Sequence, residues 1–139
     1  MTRTLAFAAA MLGVAHAALA QDFRPVVDQL ARGWQRGDVS MLGSNAASIG
    51  VSLDVEGRIG LLPGRQAASA LRRLFDQRET LSVAVSMSKE VDGSPRRALA
   101  ELTWINRERG TTIPERWTIF VALELEREQW RITEIRRMK

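Results

Sequence analysis

Residues 115–126 read ERWTIFVALELE, and large apolar side chains recur at every second position of this segment. A period of two places alternate residues on opposite faces of a β-strand. One row is uniformly apolar and is assigned to the core: Trp117, Ile119, Val121, Leu123 and Leu125. The opposite row also contains Phe120 and Ala122. Apolar residues in a row that should face solvent indicate that a second sheet or a dimer partner covers this outer face.

Strand patterns flank this segment on both sides. Residues 81–88 place Leu81, Val83, Val85 and Met87 in alternation with polar residues, and residues 97–106 and 129–137 form two further strands. The connections are short, as at the turn in residues 92–95, so the four strands should pair antiparallel, because parallel strands need crossovers of a dozen residues or more.

Helical periodicity dominates the first half of the chain. Residues 23–36 carry apolar side chains at i, i+3, i+4 and i+7, with a stop at Gly37. Asp38 can cap a second, short helix that runs to about residue 46, and residues 65–78 return to the helical period.

Between the second and third helices, residues 48–56 alternate as a half-buried strand. Four residues form its inward row: Ile49, Val51, Leu53 and Val55. The pattern therefore predicts an α+β domain in which three helices of the N-terminal half pack on one face of a curved, mostly antiparallel sheet.

The first 20 residues have the pattern of a secretory signal peptide. Arg3 supplies a positive charge, an apolar run follows, and Ala18-Leu19-Ala20 resembles a cleavage site. The apolar run is too short to span a membrane, so no membrane span is expected. We therefore expect an exported protein, periplasmic or secreted, whose single domain is residues 21–139.

The composition excludes several classes of chemistry. The chain has no Cys and no Tyr, and its one histidine, His16, lies in the expected leader. A Ser-His or Cys-His catalytic pair and a Cys/His zinc site therefore lack their residues. The net charge is +4, but arginines are interleaved with acids, as in residues 107–109, so no nucleic-acid partner is expected. No cofactor and no metal site is predicted.

The order of elements resembles the nuclear transport factor 2-like superfamily, and small exported bacterial domains in particular. The resemblance rests on the helix ending at Gly37-Asp38, the Pro63-Gly64-Arg65 turn into a helix and the closing segment WRITEI at residues 130–135. It covers nearly all of residues 23–137. It implies a cone in which a curved sheet wraps a helix around a pocket, with dimerisation through the outer face of the sheet, here around Phe120 and Ala122.

The superfamily includes ketosteroid isomerase-like enzymes, which use a carboxylate base and an oxyanion hole with a tyrosine. Aligned on Gly37-Asp38, the tyrosine position falls at Leu30, which cannot donate a hydrogen bond. Asp54 lies near the base position, but the alternation puts it on the polar side of its strand. No catalytic residue is therefore assigned, and we expect a domain that is not an enzyme.

Binding is the favoured function. Trp34 and Trp117 are candidates for the wall of a pocket for an apolar ligand, with burial in the core as the alternative. Glu101 and Arg116 are expected to face each other across neighbouring strands, where Arg116 could instead hold an anionic ligand. Two other functions stay open: a lyase or isomerase with Asp54 or Glu101 as its base, and a pure interaction module without a cavity.

Overall fold

Helix α1 (Arg24–Arg36) opens the part of the chain that the computed structural model describes, residues 22–139. The expected signal peptide, residues 1–20, lies outside the described residues. Pro25 is in the first turn of α1, where a missing N–H costs no hydrogen bond. The helix ends at Gly37, whose φ of 71° is left-handed, and the Asp38 amide donates to the Gly33 carbonyl at 2.8 Å. This closure satisfies the last carbonyls of the helix.

Two more helices follow, as the sequence predicts. Helix α2 (Leu42–Asn45) is short, and its N-cap is Met41 and not Asp38 as predicted. The Asp38 carboxylate accepts its hydrogen bond from the Ser40 amide, which lies before the helix begins. Helix α3 (Gly64–Gln77) buries one apolar stripe. Together with α1 it covers one face of the sheet, because spacings of three and four residues keep the apolar side chains on one side of each helix.

Within residues 22–139 the sheet has six strands in the order β2-β1-β6-β5-β4-β3. All neighbours are antiparallel except β1 and β6, which are parallel. The strands are β1 (Val51–Val55), β2 (Arg58–Leu62), β3 (Arg78–Val91), β4 (Arg97–Glu108), β5 (Glu115–Glu126) and β6 (Gln129–Met138). The predicted α+β architecture is confirmed, since the described part of the chain forms three helices and one mostly antiparallel, open sheet.

The described residues form one hydrophobic core, which lies between the helices and the inner face of the sheet. The alternation predicted for β5 is confirmed, since four residues of the predicted row are buried and Leu125 is partly buried against the core. The four are Trp117, Ile119, Val121 and Leu123. On β4 the residues opposite them, among them Leu102 and Trp104, are buried too. We use "outer face" for the side of the sheet that points away from this core.

Three details of the strand assignment differ from expectation. Ile49 is 77% exposed and not part of the inward row, because Gly50, at a φ of 111°, breaks the alternation before β1 begins. Strand β2 was not predicted. On β3, irregularities between Thr80 and Ser82 and between Val85 and Met87 interrupt the period of two. Met87 therefore pairs with Glu101 and lies on the outer face, opposite to Val83.

Candidate functional site

An aromatic cluster fills the interior beneath the helices. Trp104 of β4 lies at its centre, with ring centroids 5.4 Å from Trp34 and 5.2 Å from Trp117. Phe75 of α3 contacts both Trp34 and Trp104 at 5.3 and 5.9 Å. All four contacts are edge-to-face, the arrangement in which the positive edge of one ring meets the negative face of the next. The cluster joins α1, α3, β4 and β5.

The two tryptophans predicted for a pocket wall are members of this cluster. Trp34 is 0% exposed and Trp117 is 2% exposed, and Trp104 separates them. The structure therefore places both in the core, which was the alternative interpretation of these residues. Two surface hollows of residues 22–139 are described below. Neither Trp34 nor Trp117 lines either of them.

Charged groups close the core beside Trp117. The guanidinium groups of Arg78 and Arg137 lie over its ring, 4.3 and 3.6 Å from the centroid. Arg78 also donates to Glu115 at 2.7 Å and to Asn106 at 2.7 Å. Among the described residues, Asn106 is the one polar side chain classed as buried. Sequence patterns did not point to this group, because only the pairing register brings its members together.

Arg78 also governs the ionisation of Glu115. Its hydrogen bond is the main reason why the pKa of the Glu115 carboxyl lies below the usual value, with its positive charge adding to the effect. The Trp117 indole lies 3.5 Å from the same carboxylate and acts in the same direction. A carboxylate held in its charged form by donors is suited to a structural ion pair and poorly suited to accept a proton in catalysis.

The two carboxylates considered as a catalytic base lie on the outer face. Asp54 is exposed on β1 and pairs with Ile59 and Arg136 on either side. Glu101 is partly exposed on β4. Neither points into the aromatic interior, because each alternates with buried residues of its strand. Leu30, at the position of the family's tyrosine, is fully buried.

Glu101 and Arg116 do not face each other. Glu101 is opposite Phe120, and Arg116 is opposite Ile105, so the pair is displaced by four residues along the strands. This corrects the expected cross-strand pair. The register follows from the hairpin between β4 and β5, whose pairs extend to Asn106 and Glu115. Among the described residues, neither Glu101 nor Arg116 has a side-chain hydrogen bond or ion pair.

Two rows of side chains cross the whole outer face. Directly opposed residues of neighbouring strands share a face, so the pairings define each row. The Phe120 row is Met87, Glu101, Phe120, Arg136, Asp54 and Ile59. The Ala122 row is Lys89, Leu99, Ala122, Glu134, Ser52 and Leu61.

The centre of the outer face contains a hollow next to a protruding aromatic ring. Ala122 is small, and a hollow of about 390 Å³ lies over it, bordered by Leu99, Phe120 and Glu134. The Phe120 ring stands next to this hollow and is held by the Arg136 guanidinium, 4.6 Å from its centroid. Both Phe120 and Ala122 are partly exposed, as expected for the row opposite the core.

The helical side carries a second hollow. A groove of about 470 Å³ runs between α2 and α3, with Val39 and Ala68 at its apolar part. Arg65 and Arg72 of α3 line it, together with Asp38. The Ser40 amide and hydroxyl, by hydrogen bonding, keep the pKa of Asp38 below the usual value, and Arg72 adds a smaller effect. The groove is open and polar, unlike the enclosed apolar pockets that hold most small ligands.

Residues 22–139 contain no group of three or more acidic, Cys or His side chains placed to hold a metal ion. Over the same range, no helix is both long and apolar enough to cross a bilayer.

Comparison with solved structures gives clear fold matches at low sequence identity. A DUF4783 family protein from Bacteroides uniformis superposes with a TM-score of 0.64 at 12% identity, covering 81% of this chain and 94% of that one. A hypothetical protein with a ketosteroid isomerase-like fold from Catenulispora acidiphila, in complex with trimethylamine, gives 0.61 at 17% identity, covering 82% and 84%.

An epoxide hydrolase of the LEH-like type from M. tuberculosis gives a TM-score of 0.55 at 20% identity, covering 80% of this chain and 77% of that one. No known protein-family profile and no curated protein sequence matches the chain. Structural matches at sequence identities this low establish the fold and do not establish an activity. The resemblance predicted from the order of elements is confirmed, and the chain has the nuclear transport factor 2-like fold.

Proposed function

We propose that this protein is an exported, non-catalytic domain that binds another protein molecule through the outer face of its sheet. The contrast between the two faces of β5 carries this proposal. Trp117 is buried against Trp104 on the inner face, whereas Phe120 and Ala122 remain partly exposed on the outer face. An aromatic ring beside a shallow hollow is the kind of surface that central interface residues provide.

A ligand in the interior is less well supported. The aromatic cluster occupies the space beneath the helices, so an apolar ligand would have to displace Trp34 or Trp104 from edge-to-face contacts. The four residues considered for such a site are also divided between two faces. Trp34 and Trp117 lie in the core, whereas Glu101 and Arg116 belong to the outer face of β4 and β5.

The arrangement of carboxylates supports the non-catalytic interpretation over a lyase or isomerase. A general base works within reach of a bound substrate, usually in a concave and partly apolar site. Glu101 lies instead on the open outer face, and Asp54 borders a polar surface hollow of about 480 Å³ that is also lined by Arg136 and Arg137. The epoxide hydrolase and the ketosteroid isomerase-like neighbour are similar to this chain in fold only.

Export rests on the leader pattern of residues 1–20. The mass of the protein recovered outside the cytoplasm should correspond to a chain that begins at Gln21. Replacing Ala20 by Arg should block this processing, because the cleavage site requires small residues. A protein that retains residues 1–20 in all fractions would contradict the export proposal.

Native mass spectrometry on protein purified without denaturation tests the binding function. We expect complexes with protein partners and no bound small molecule, and we expect the Phe120→Arg variant to lose those complexes. Ile113→Ser is the matched control, because Ile113 is 75% exposed in the loop between β4 and β5. A small molecule retained by both variants, or a wild-type chain that forms no complex, would contradict the proposed function.

A further inference from the structure

Two arginines of α3 line the groove of about 470 Å³ between α2 and α3. Arg65 and Arg72 are seven positions apart, so they lie on one side of the helix, about 10 Å from each other along its axis. In the described part of the chain, neither guanidinium has a hydrogen bond or an ion pair, whereas Arg78 and Arg107 each pair with a glutamate. The groove therefore offers two positive charges to an anion.

Asp38 is the acidic residue that lines the same groove, and its carboxylate is bonded within its own loop. It accepts a hydrogen bond from the Ser40 amide at 3.0 Å. Hydrogen bonds from Ser40 are the largest causes of the lowered pKa of Asp38, and the charge of Arg72 adds a smaller effect. Asp38 is therefore ionised at neutral pH without a hydrogen bond to either arginine. Two guanidinium groups and one carboxylate leave the lining with one positive charge in excess.

This balance favours a ligand with a single negative charge. One carboxylate would neutralise the excess charge of the groove, whereas a doubly charged phosphate would add a negative charge beside Asp38, and like charges repel. Guanidinium groups bind carboxylates through charge-assisted hydrogen bonds, often two at once. The ligand that fits these charges is a carboxylate.

The rest of the lining is suited to hydroxyl groups. An ionised carboxylate only accepts hydrogen bonds, so the remaining lone pairs of Asp38 require donors on the ligand. Ser44 and Ser69 donate their own protons to backbone carbonyls, at 3.4 and 3.1 Å, which leaves their oxygens as acceptors. Val39 and Ala68 form the apolar part of the lining. A molecule with several hydroxyl groups and a C–H surface satisfies all of these groups.

The two ends of the groove differ in charge. A Cβ on Gly43 would lie 3.5 Å from the Arg65 side chain, so Arg65 lies beside α2. Arg72, and not Arg65, acts on the charge of Asp38. The end at Arg65 is therefore positive, whereas the end at Arg72 combines a cation with a carboxylate. An anionic group is favoured at the first end and hydroxyl groups at the second.

We infer that this groove binds a sugar acid, with the carboxylate of the ligand at Arg65 and its hydroxyl groups donating to Asp38. The inference goes beyond the proposed function, because the groove lies on the helical side of the sheet, away from the outer face. The sugar acid is either a free molecule or one unit of a longer acidic saccharide, since both present the same groups to an open groove. An open site exchanges a small ligand with solvent, so protein purified without added sugar acid is expected to be free of it.

Amide chemical shifts of the isotope-labelled protein, recorded during titration with galacturonate, test the inference. Saturable shifts are expected for Gly43, Ser44 and Ser69, which line the groove. Galactose lacks the carboxylate and acetate lacks the hydroxyl groups, so each should bind about tenfold more weakly or worse. A galacturonate trimer distinguishes the two sources of the ligand. Tighter binding of the trimer, beyond the statistical advantage of its three units, assigns the groove to a saccharide chain, and otherwise the free sugar acid is the ligand.

Three variants locate the site. Arg65→Gln should raise the dissociation constant of galacturonate about fivefold or more, because it removes charge-assisted hydrogen bonds. Arg73→Gln is the matched control, since Arg73 is exposed on the same helix but is not among the residues that line the groove. It makes the same change in net charge and should bind as the wild type does. Gly43→Leu fills the groove without changing its charge and should weaken binding as well. Thermal unfolding verifies that each variant is folded.

Three results would overturn the inference. The first is the absence of saturable shifts at the groove residues. The second is equal weakening by Arg65→Gln and Arg73→Gln, which would show only a general attraction to positive charge. The third is binding of galactose or acetate as tight as that of galacturonate. Phe120→Arg should leave the galacturonate dissociation constant unchanged, so a failure of the sugar-acid site and a failure of the proposed function are distinguishable.

Discussion

The Arg137 guanidinium lies 3.6 Å from the centre of the Trp117 ring and also pairs with Glu56. The Arg137 side chain is 25% exposed, so its cation–π contact is partly shielded from water. Arg137→Ala should lower the free energy of unfolding by about 1–2 kcal/mol, measured by urea denaturation. Arg32→Ala is the control, because Arg32 is exposed on α1 without a side-chain partner among the described residues. Equal stability of both variants would contradict the contact.

Trp34 and Trp104 offer a matched comparison within the aromatic cluster. The Trp104 indole donates to the Thr80 hydroxyl at 2.9 Å, whereas the buried Trp34 indole N–H has no hydrogen-bond partner within residues 22–139. Replacing either by Phe removes the same volume. Because only Trp104→Phe also breaks a hydrogen bond, it should cost about 1 kcal/mol more than Trp34→Phe in chemical denaturation. The reverse order would show that the Trp34 N–H makes an interaction of its own.

The lowered pKa of Glu115 predicts that the stability of the fold depends on pH. Its pKa is lowered in the folded protein, chiefly by the Arg78 hydrogen bond. A lowered pKa means that the ion pair stabilises the fold above the ordinary glutamate value and that this contribution is lost as the pH falls through the lowered value. Glu115→Gln should therefore be less stable than the wild type at neutral pH, and the difference should vanish in acid.

The size of that difference should be modest, because the Glu115 side chain is 45% exposed and water screens the pair. Glu108→Gln, an exposed change in the same hairpin, should leave the acid limb of the stability curve unchanged. A Glu115→Gln curve parallel to that of the wild type from neutral pH into acid would contradict the assignment of this limb to Glu115.

Replacing glycine by alanine should change the stability of the fold in opposite directions at two positions. A Cβ on Gly64 would lie 2.0 Å from the Leu42 carbonyl oxygen, so Gly64→Ala must separate α3 from α2 and should destabilise the fold strongly. A Cβ on Gly43 would meet only the Arg65 side chain at an ordinary 3.5 Å. Because Gly43 is helical, Gly43→Ala should stabilise by roughly 0.5–1 kcal/mol. Melting temperatures of the two variants test the contrast, which fails if both move in the same direction.

Much of the architecture could be predicted because its signals are local. The alternation in β5 and the helical spacing in α1 each identify a buried face without reference to any other part of the chain. Strand β2 was not predicted because two of its three apolar residues, Ile59 and Leu61, face solvent, and Leu62 alone packs against the core. The two irregularities in β3 were not predicted either, because a β-bulge depends on how the strand pairs with its partner.

The candidate site was less predictable than the fold. Phe120 and Ala122 could be singled out, because apolar residues opposite a core row are anomalous within one strand. Glu101 and Arg116 could not be placed correctly, because their relation depends on the register between β4 and β5. The Arg78, Glu115 and Arg137 group around Trp117 joins three strands, so no sequence period contains it.

The parallel pairing of β1 with β6 has a consequence for how the chain reaches its structure. Ser52 pairs with Glu134, and Ala46 forms an isolated bridge with Ile132, so early and late parts of the chain are joined directly. Contacts between residues so distant in sequence slow folding, because a long loop must close before they form. During synthesis the β1–β2 hairpin has no neighbouring strand until the last segment emerges. The edge of the sheet formed by β1 and β2 can therefore join the other strands only after β6 has been synthesised.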